Sequence, residues 1–281
     1  MKVSVLMITY NQEDYISDAI KGVFNQITNF EFEIVISNDA STDNSDFKIR
    51  ELQKTNYNEN LSIKYLHRDL NLGMILNYSE TFKQCKGKYI ATCEGDDYWV
   101  DPYKLQKQVD FMEGNLDFNL CFTRSNYLQN KEFKLLDLPL NRDDGVFYLI
   151  DLYKYYNFIT TSSSLFRKQQ MPDFIKNLPY GDLGIYTVLA KDTKIKCLDF
   201  VSSVYRIHDK GVWQGSSRQK QIMMSLLFNK IIYPYVDATI KSVIKLKSIV
   251  IMEEIIKIKF NKNKLFRGVY YRFLKYKYFP K

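Results

Sequence analysis

Cysteine is scarce and scattered: Cys85, Cys93, Cys121 and Cys197 form no C-x-x-C pair, and two of them sit in apolar, strand-like runs. That argues against a disulfide framework and for a reducing compartment. Long apolar runs are also missing, since nothing reaches the roughly 18 consecutive apolar residues of a membrane span. The chain passes within a few residues from Met1-Lys2 into Val3-Ser4-Val5-Leu6-Met7-Ile8, too short for the apolar region of a secretion signal and without a small-residue cleavage site. The cytosol, or the cytosolic side of a membrane, is therefore expected. No stretch rich in proline, glycine and serine divides the 281 residues, so one main domain with an appendage is expected. Neither G-x-G-x-x-G nor G-x-x-x-x-G-K-[ST] occurs, which argues against a dinucleotide or P-loop site.

What is present is the composition of a folded globular protein, with 46% hydrophobic and 26% charged residues. The net charge of +8 is unevenly divided. From Ile240 to Lys281 there are 12 basic and two acidic residues, a net of +10, whereas the preceding 239 residues carry 28 basic and 30 acidic, a net of −2. Basicity is thus a property of the tail and says little about the body.

Residues 2 to 9 read as a buried strand, and Ile16, Ala19, Ile20, Val23 and Phe24 then recur at helical spacing. The unit repeats with a strand from Phe32 to Ser37, a polar turn from Asn38 to Asp43, and Phe47, Ile49 and Leu52 on a short helix. A third strand, Leu61 to Leu66, leads through Arg68 and Asn71-Leu72-Gly73 to a helix that Gly87 would terminate as a left-handed cap. A fourth, Lys88 to Cys93, ends in Glu94-Gly95-Asp96-Asp97. Such alternation predicts an α/β fold with a parallel sheet flanked by helices. Beyond Trp99 the pattern is mixed. It predicts a helix from Tyr103 to Glu113, strands near Leu120 to Thr123 and Thr160 to Phe166, a helix around Leu183 to Ala190, and a strand from Ile195 to Tyr205. Gly215 to Lys281 reads as helices.

In a parallel sheet, ligands bind outside the carboxyl ends of the strands. The polar residues expected there are Thr9, Tyr10 and Asn11 after the first strand, and Asn38, Asp39 and Asp43 after the second. Arg68 and Asn71 follow the third, and Glu94, Asp96 and Asp97 the fourth. Three carboxylates within four residues repel one another unless a cation neutralises them, and all-oxygen ligation suits Mg2+ or Mn2+. The residues alone leave two readings: a solvated acidic turn, or a site for a hard divalent ion. Asp182, where a helix begins, has the same ambiguity, because aspartate is a favoured N-cap. His208 is one of two histidines and follows Tyr205-Arg206 where a strand runs out. His67, the other, has no comparable context and is assigned no role.

Val3 to Asn11, Asn38-Asp39-Ala40-Ser41-Thr42-Asp43, Asn71-Leu72-Gly73 and Glu94-Gly95-Asp96-Asp97, in that order and spacing, resemble family 2 of the GT-A glycosyltransferases. The resemblance continues through Gly181-Asp182 and Val204-Tyr205-Arg206-Ile207-His208 to Gly211-Val212-Trp213. It implies a GT-A, Rossmann-like, mixed and largely parallel sheet flanked by helices, with a catalytic domain over residues 1–215. Within it, 1–100 would be the nucleotide-binding half and 101–215 the acceptor-side half, leaving 216–281 as a helical, basic extension. It further implies an inverting enzyme of bacterial surface-polysaccharide type that uses a nucleotide sugar, expected to be UDP-linked, with Mn2+ or Mg2+ as cofactor.

Carried onto this chain, the resemblance places Thr9, Tyr10 and Asn11 against the uridine and has Asp39 accept a hydrogen bond from the uracil ring N–H, with Asn71 nearby. The family's D-x-D motif falls on Glu94-Gly95-Asp96. Asp96 would be the metal ligand, Glu94 would lie near the ribose, and Asp97 would assist either or hold the loop. Asp182 would be the general base. His208, a second candidate metal ligand, and Arg206 would meet the diphosphate or the metal, and Trp213 would lie on a loop closing over the donor. Thr161-Ser162-Ser163-Ser164, ending near Arg167, would line the sugar pocket or form a polar strand edge.

The tail interleaves Phe266, Tyr270, Tyr271, Phe273, Leu274, Tyr276, Tyr278 and Phe279 with cations. That pattern suits a solvated helical face or an interfacial anchor on anionic lipid. The latter would put the protein peripherally on the cytosolic face of the inner membrane, beside a glycan or lipid-linked glycan acceptor. Two other functions compete. A nucleotidyltransferase would need a glycine-rich, cationic phosphate loop where Thr9-Tyr10-Asn11-Gln12 stands, and a membrane- or nucleic-acid-binding module would act through the tail alone. No nucleic acid is expected as a partner.

Overall fold

The computed structural model describes residues 1–259 and 264–278; side chains before Gly268 in the last helix are not described. The first half runs β1 (Val3–Thr9), α1 (Ile16–Phe24), β2 (Phe32–Asn38), α2 (Ser45–Gln53), β3 (Leu61–His67), α3 (Met74–Gln84), β4 (Tyr89–Thr92), β5 (Tyr98–Trp99) and α4 (Lys104–Gly114). There follow β6 (Phe118–Gln129), β7 (Glu132–Leu135), β8 (Val146–Phe147), α5 (Leu149–Lys154), β9 (Leu165–Arg167), α6 (Asp182–Leu189) and β10 (Lys194–Arg206). The chain finishes in α7 (Arg218–Ile232), α8 (Ala238–Lys259) and α9 (Lys264–Tyr278).

One mixed sheet has the order β3-β2-β1-β4-β9-β6-β10-β5, with β7 beside β6 and β8 beside β10. The first four strands are mutually parallel, β9 runs against both its neighbours, and β10 is parallel to β6. Register lines up the carboxyl ends, because Thr9 pairs with Asn38 and Asn38 with His67. Side chains alternate across a strand. Val3, Val5 and Met7 therefore pack under α1 and α4, while Leu6 enters a second core on the opposite face with Val35, Ile90 and Phe122. This is the mixed, helix-flanked sheet expected.

Gly87 departs from its expected use. Helix α3 ends at Gln84 with Cys85 extended, and Gly87 does not take a left-handed φ. It is required by proximity instead: a Cβ there would lie 2.3 Å from the Ser4 nitrogen and 2.5 Å from the Val3 carbonyl carbon. The expected strand from Thr160 shrinks to Leu165–Arg167, preceded by a 3-10 turn at Thr161–Ser163. Its hydroxyls explain this, since Ser163 Oγ donates to the Thr160 carbonyl and Ser164 Oγ to that of Thr161, both in competition with ladder pairing.

The C-terminal helices are packed, not trailing. Phe228, Ile232, Val236, Ile240 and Ile244 join the main core, and Ile222, Leu226, Met252, Ile255, Ile256, Leu274 and Tyr278 form a smaller one among α7, α8 and α9. Leu274 and Tyr278, counted above as interfacial, thus face inward, whereas Val269, Phe273 and Tyr276 are exposed. The Phe266 side chain and Phe279 lie outside the described residues. Among the described residues no helix is long and apolar enough to cross a membrane.

Candidate active site

The loops at the carboxyl edge are stitched by side chains acting as backbone partners. Asn11, at φ 53°, takes the left-handed conformation that asparagine tolerates. Its N–H donates to Ser41 Oγ at 2.9 Å and its Oδ1 accepts from the Thr42 N–H at 2.8 Å. Asp43 accepts from the N–H groups of Glu13 and Ser45. Burial would raise its pKa, but these bonds outweigh that and hold it below the usual value. Thr9 is buried here, with its hydroxyl on Gln12 Oε1, while Tyr10 is exposed.

Asp39 is 3% exposed. Its two oxygens accept from the Leu72 N–H at 2.8 Å and the Gly73 N–H at 2.9 Å, and Asn71 Nδ2 donates to the Asp39 carbonyl at 3.0 Å. Gly73, at φ 81°, makes the turn into α3. Each Asp39 oxygen keeps a second lone pair, so the carboxylate can accept one more N–H. Arg68 lies alongside: its Nε donates to Ser37 Oγ at 3.2 Å, and one terminal nitrogen is buried without a partner among the described residues. Sequence reasoning placed Arg68 at this edge and gave it no role; only the unpartnered nitrogen marks it as a donor in waiting.

The acidic loop crosses directly over the first loop. A Cβ on Gly95 would lie 2.4 Å from Gln12 Oε1 and 2.9 Å from Thr9 Cβ, so only glycine fits. Asp96 Oδ2 is 3.2 Å from His208 Nε2, and the His208 ring packs on Tyr15 with its Nδ1 buried and without a partner among the described residues. Asp97 is 1% exposed; its Oδ1 accepts the Arg206 backbone N–H at 2.9 Å, and the neighbouring Ser162 hydroxyl also favours the carboxylate. The Arg206 guanidinium donates to the Asp96 carbonyl and to Asp18, and lies 4.3 Å over the Tyr98 ring. Asp97 and Arg206 therefore tie β10 to the acidic loop and point into protein, while Asp96 and His208 meet each other.

Burial, and then the neighbouring carboxylates of Asp96, Asp97 and Asp182, push Glu94 well above the usual range; burial and then Asp96 do the same to Asp97. This is crowding of like charge in a poorly solvated place, which a divalent cation would relieve. Among the described residues no three His, Cys, Asp or Glu side chains gather into a complete cage. One carboxylate and one imidazole suit an ion that takes its other ligands from water and substrate phosphates.

Asp182 opens α6 and is not its cap, which is Gly181. Its Oδ2 accepts from Asn157 Nδ2 at 2.6 Å. Burial raises its pKa despite bonds from the Leu183 N–H and Asn157. Next to it, Tyr180 stacks on Phe228 and carries Trp213 edge-on at 5.5 Å, and the Trp213 carbonyl accepts from Gln221 of α7. Ser162 and Ser163 lie behind the acidic loop, their carbonyls held by Trp99 Nε1 and Gln108 Nε2, while Arg167 turns away to bond Tyr89 and the Met112 carbonyl. His67, at the end of the outer strand β3, meets Asp46 of α2 at 3.1 Å. A hollow of about 600 Å³ lies at the other end of the strands, lined by amides such as Asn56, Asn58 and Asn60 together with Phe24, Ile27 and Leu52. It is remote from every carboxylate just described.

The family model described as "Glycosyl transferase family 2" matches residues 4–174. The chain belongs to glycosyl transferase family 2. An uncharacterised protein of Mycobacterium tuberculosis is 33% identical over 218 residues, which cover 76% of this chain and 61% of that protein; the chain thus spans about three fifths of the length of this relative. The Escherichia coli UDP-Glc:alpha-D-GlcNAc-diphosphoundecaprenol beta-1,3-glucosyltransferase WfaP is 27% identical over 237 residues, covering 80% of this chain and 86% of that one. Among solved structures, Staphylococcus aureus TarS 1–349 in complex with UDP superposes with a TM-score of 0.59 at 18% identity, covering 83% of this chain and 65% of that one. The mannosyltransferase PcManGT of Pyrobaculum calidifontis, in complex with GDP-Man and Mn2+, superposes at 0.57 and 12% identity, covering 88% and 69%. These likenesses establish the GT-A fold of this family 2 chain.

Proposed function

We propose that this protein is an inverting, metal-dependent glycosyltransferase that moves a sugar from a UDP-linked donor to a lipid-linked glycan in surface-polysaccharide synthesis. Residues 1–215 form the catalytic body and 216–281 the extension. The observation that carries the reading is the meeting of Asp96 with His208 at the sheet edge where Asp39, Glu94 and Asp182 also converge. Asp39, Asn71, Thr9, Tyr10 and Asn11 hold the nucleoside, with Arg68 as a further donor, and Glu94 meets the ribose. Asp96 and His208 would hold a divalent ion, which when bound would supply neutralising charge for the diphosphate leaving group. Asp97 and Arg206 keep the acidic loop against β10, and Trp213 covers the donor and excludes water.

Asp182 takes the proton of the acceptor hydroxyl as that oxygen attacks the anomeric carbon; the bond from that carbon to the diphosphate breaks, and configuration inverts. A carboxylate whose pKa burial has raised is the better base for this step. A UDP-sugar donor and a diphosphoundecaprenol-linked acceptor appear in the printed name of the Escherichia coli relative and support the substrate classes proposed. Docking on anionic lipid at the cytosolic face is supported by the exposed Leu246, Ile249 and Val250 of α8 and Val269, Phe273 and Tyr276 of α9, set among lysines.

The test is a panel of nucleotide sugars, read by thermal shift and by UDP release, with and without Mn2+ or Mg2+. UDP stabilises only with the ion, Asp96→Ala removes that coupling, and Asp182→Asn keeps donor binding while losing turnover. Absence of UDP release from every UDP-sugar, or undiminished turnover by Asp182→Asn, overturns the reading.

A further inference from the structure

We propose that Asn157 is a positioning residue for Asp182, and that Lys247 of α8 fixes the segment that carries Asn157, so that the C-terminal extension sets the orientation of the base. The inference rests on the reading of Asp182 as the base. Residues 155 to 160 follow α5 without regular structure, and only Phe158 and Ile159 anchor them in the core. Asn157 Oδ1 accepts the Ile159 N–H at 3.4 Å, an Asx-type turn that directs the amide nitrogen outward. That nitrogen meets Asp182 Oδ2 at 2.6 Å. A carboxylate can rotate about its last bond, and a donor on one oxygen fixes the plane in which the other meets an incoming hydroxyl.

The segment is held at its start from the extension. Lys247 Nζ donates to the Tyr155 carbonyl at 3.0 Å. The lysine is half-buried and has no ion pair among the described residues, so its ammonium is committed to this carbonyl. Helix α8 is itself seated, with Ile240 and Ile244 in the main core and Ser248 Oγ accepting from Asn229 of α7 at 2.8 Å. A continuous chain of contacts therefore runs from α7 and α8 through Lys247, Tyr155 and Asn157 to Asp182.

Among the described residues, the other ionisable groups facing Asp182 are Glu94 from the acidic loop, Tyr180 before α6, Tyr186 within it and Tyr205 of β10. Burial keeps each of these tyrosines protonated at neutral pH, and Asn157 is the side-chain donor that favours the ionised form of Asp182. Its removal must therefore raise the pKa of the base.

The experiment uses the full chain and whichever UDP-sugar of the panel above it hydrolyses. UDP release is followed from pH 5 to 9, and UDP affinity with Mn2+ is measured by calorimetry. Asn157→Ala is expected to lower kcat about 10-fold and to move the acid limb of kcat upward by about one pH unit, with KM for the donor and UDP affinity within about twofold. Asn157→Ser serves if the alanine variant does not fold. Lys247→Met, which keeps the apolar stem, is expected to lower kcat about threefold with the same direction of shift, and Lys247→Arg to restore it. An unshifted acid limb in the folded Asn157 variant overturns the proposal, and wild-type kcat in Lys247→Met overturns the part played by α8. Undiminished turnover by Asp182→Asn instead strikes the reading of the base itself.

Discussion

Lys104 is fully buried and, among the described residues, forms no ion pair with a carboxylate. Its ammonium donates to Gln108 Oε1 at 2.6 Å and lies 4.3 Å over the face of Trp99, and burial lowers its pKa to about 7 from 10.5. That difference disfavours charge by about 5 kcal/mol. Between pH 7 and 10.5 the unfolded chain binds a proton at this position that the folded chain does not, so stability rises with pH in that window. From pH 7 to 8.5 the rise is about 1.6 kcal/mol. Above about pH 9 the buried thiols oppose it, because burial holds Cys93 and Cys121 protonated in the fold while unfolded thiols ionise. The usable window therefore ends near 8.5.

Lys104→Met removes the titration and keeps the volume. At pH 7 it relieves about 4 kcal/mol, offset by an unpartnered Gln108 oxygen at about 2 kcal/mol and a lost contact over Trp99 at about 1 kcal/mol. The variant should be about 1 kcal/mol more stable at pH 7 and about equal at pH 8.5. Urea unfolding at the two pH values measures this, and since all other groups titrate in both proteins, the difference between the slopes isolates Lys104. Parallel dependence of the two proteins on pH would refute the reasoning.

Gly87→Ala drives a methyl into the backbone of Val3 and Ser4 and should cost about 3 kcal/mol; urea unfolding checks it, and a cost under about 1 kcal/mol shows that β1 can shift. Asp97→Asn removes a buried carboxylate that burial and the neighbouring Asp96 disfavour and should raise the unfolding temperature at pH 7 without altering UDP affinity in Mn2+. A large affinity loss would return Asp97 to the ligand. Glu113 is held down to about 2 by hydrogen bonds from Lys88, Tyr89 and Lys2. It stabilises the fold above about pH 4.5 and loses that contribution as pH falls through 2. Because it is over a third exposed, Glu113→Gln should cost under about 1 kcal/mol at pH 7 and nothing at pH 2, as acid titration of stability would report.

The first four strands were legible because β1, β2 and β4 are short apolar runs buried on both faces, the half-buried edge strand β3 alternates apolar and polar residues, polar turns close them, and three intervening helices carry apolar stripes. Their parallel pairing alone brings Thr9, Asp39, Asn71 and Asp96 to one edge. Gly87 misled because glycine serves two needs, a left-handed φ and a close approach, which look alike until the neighbouring strand is in place. Leu274 and Tyr278 misled because α9 carries large apolar residues on both faces, so periodicity cannot say which stripe meets α7 and α8. The short strands Tyr98–Trp99 and Val146–Phe147 have too few residues for any period to register.

The groups that escaped the sequence share one physical character: they act on the motif residues and carry no pattern of their own. Lys104 and Gln108 sit one helical turn apart beside the stripe of Leu105, Val109 and Met112. On paper they read as a solvated edge; in the fold they hold the Ser163 carbonyl behind the acidic loop. Asn157 is an ordinary loop asparagine until α6 brings Asp182 within 2.6 Å. Lys247 belongs to a basic helix whose charge suggested lipid alone, yet it turns inward to a carbonyl. Among the described residues, charge in the extension is therefore of two kinds: outward-facing lysines among exposed apolar residues, and lysines committed to backbone carbonyls, such as Lys230 on Lys277 and Lys247 on Tyr155. A substitution that removes charge there must be judged by which kind it removes.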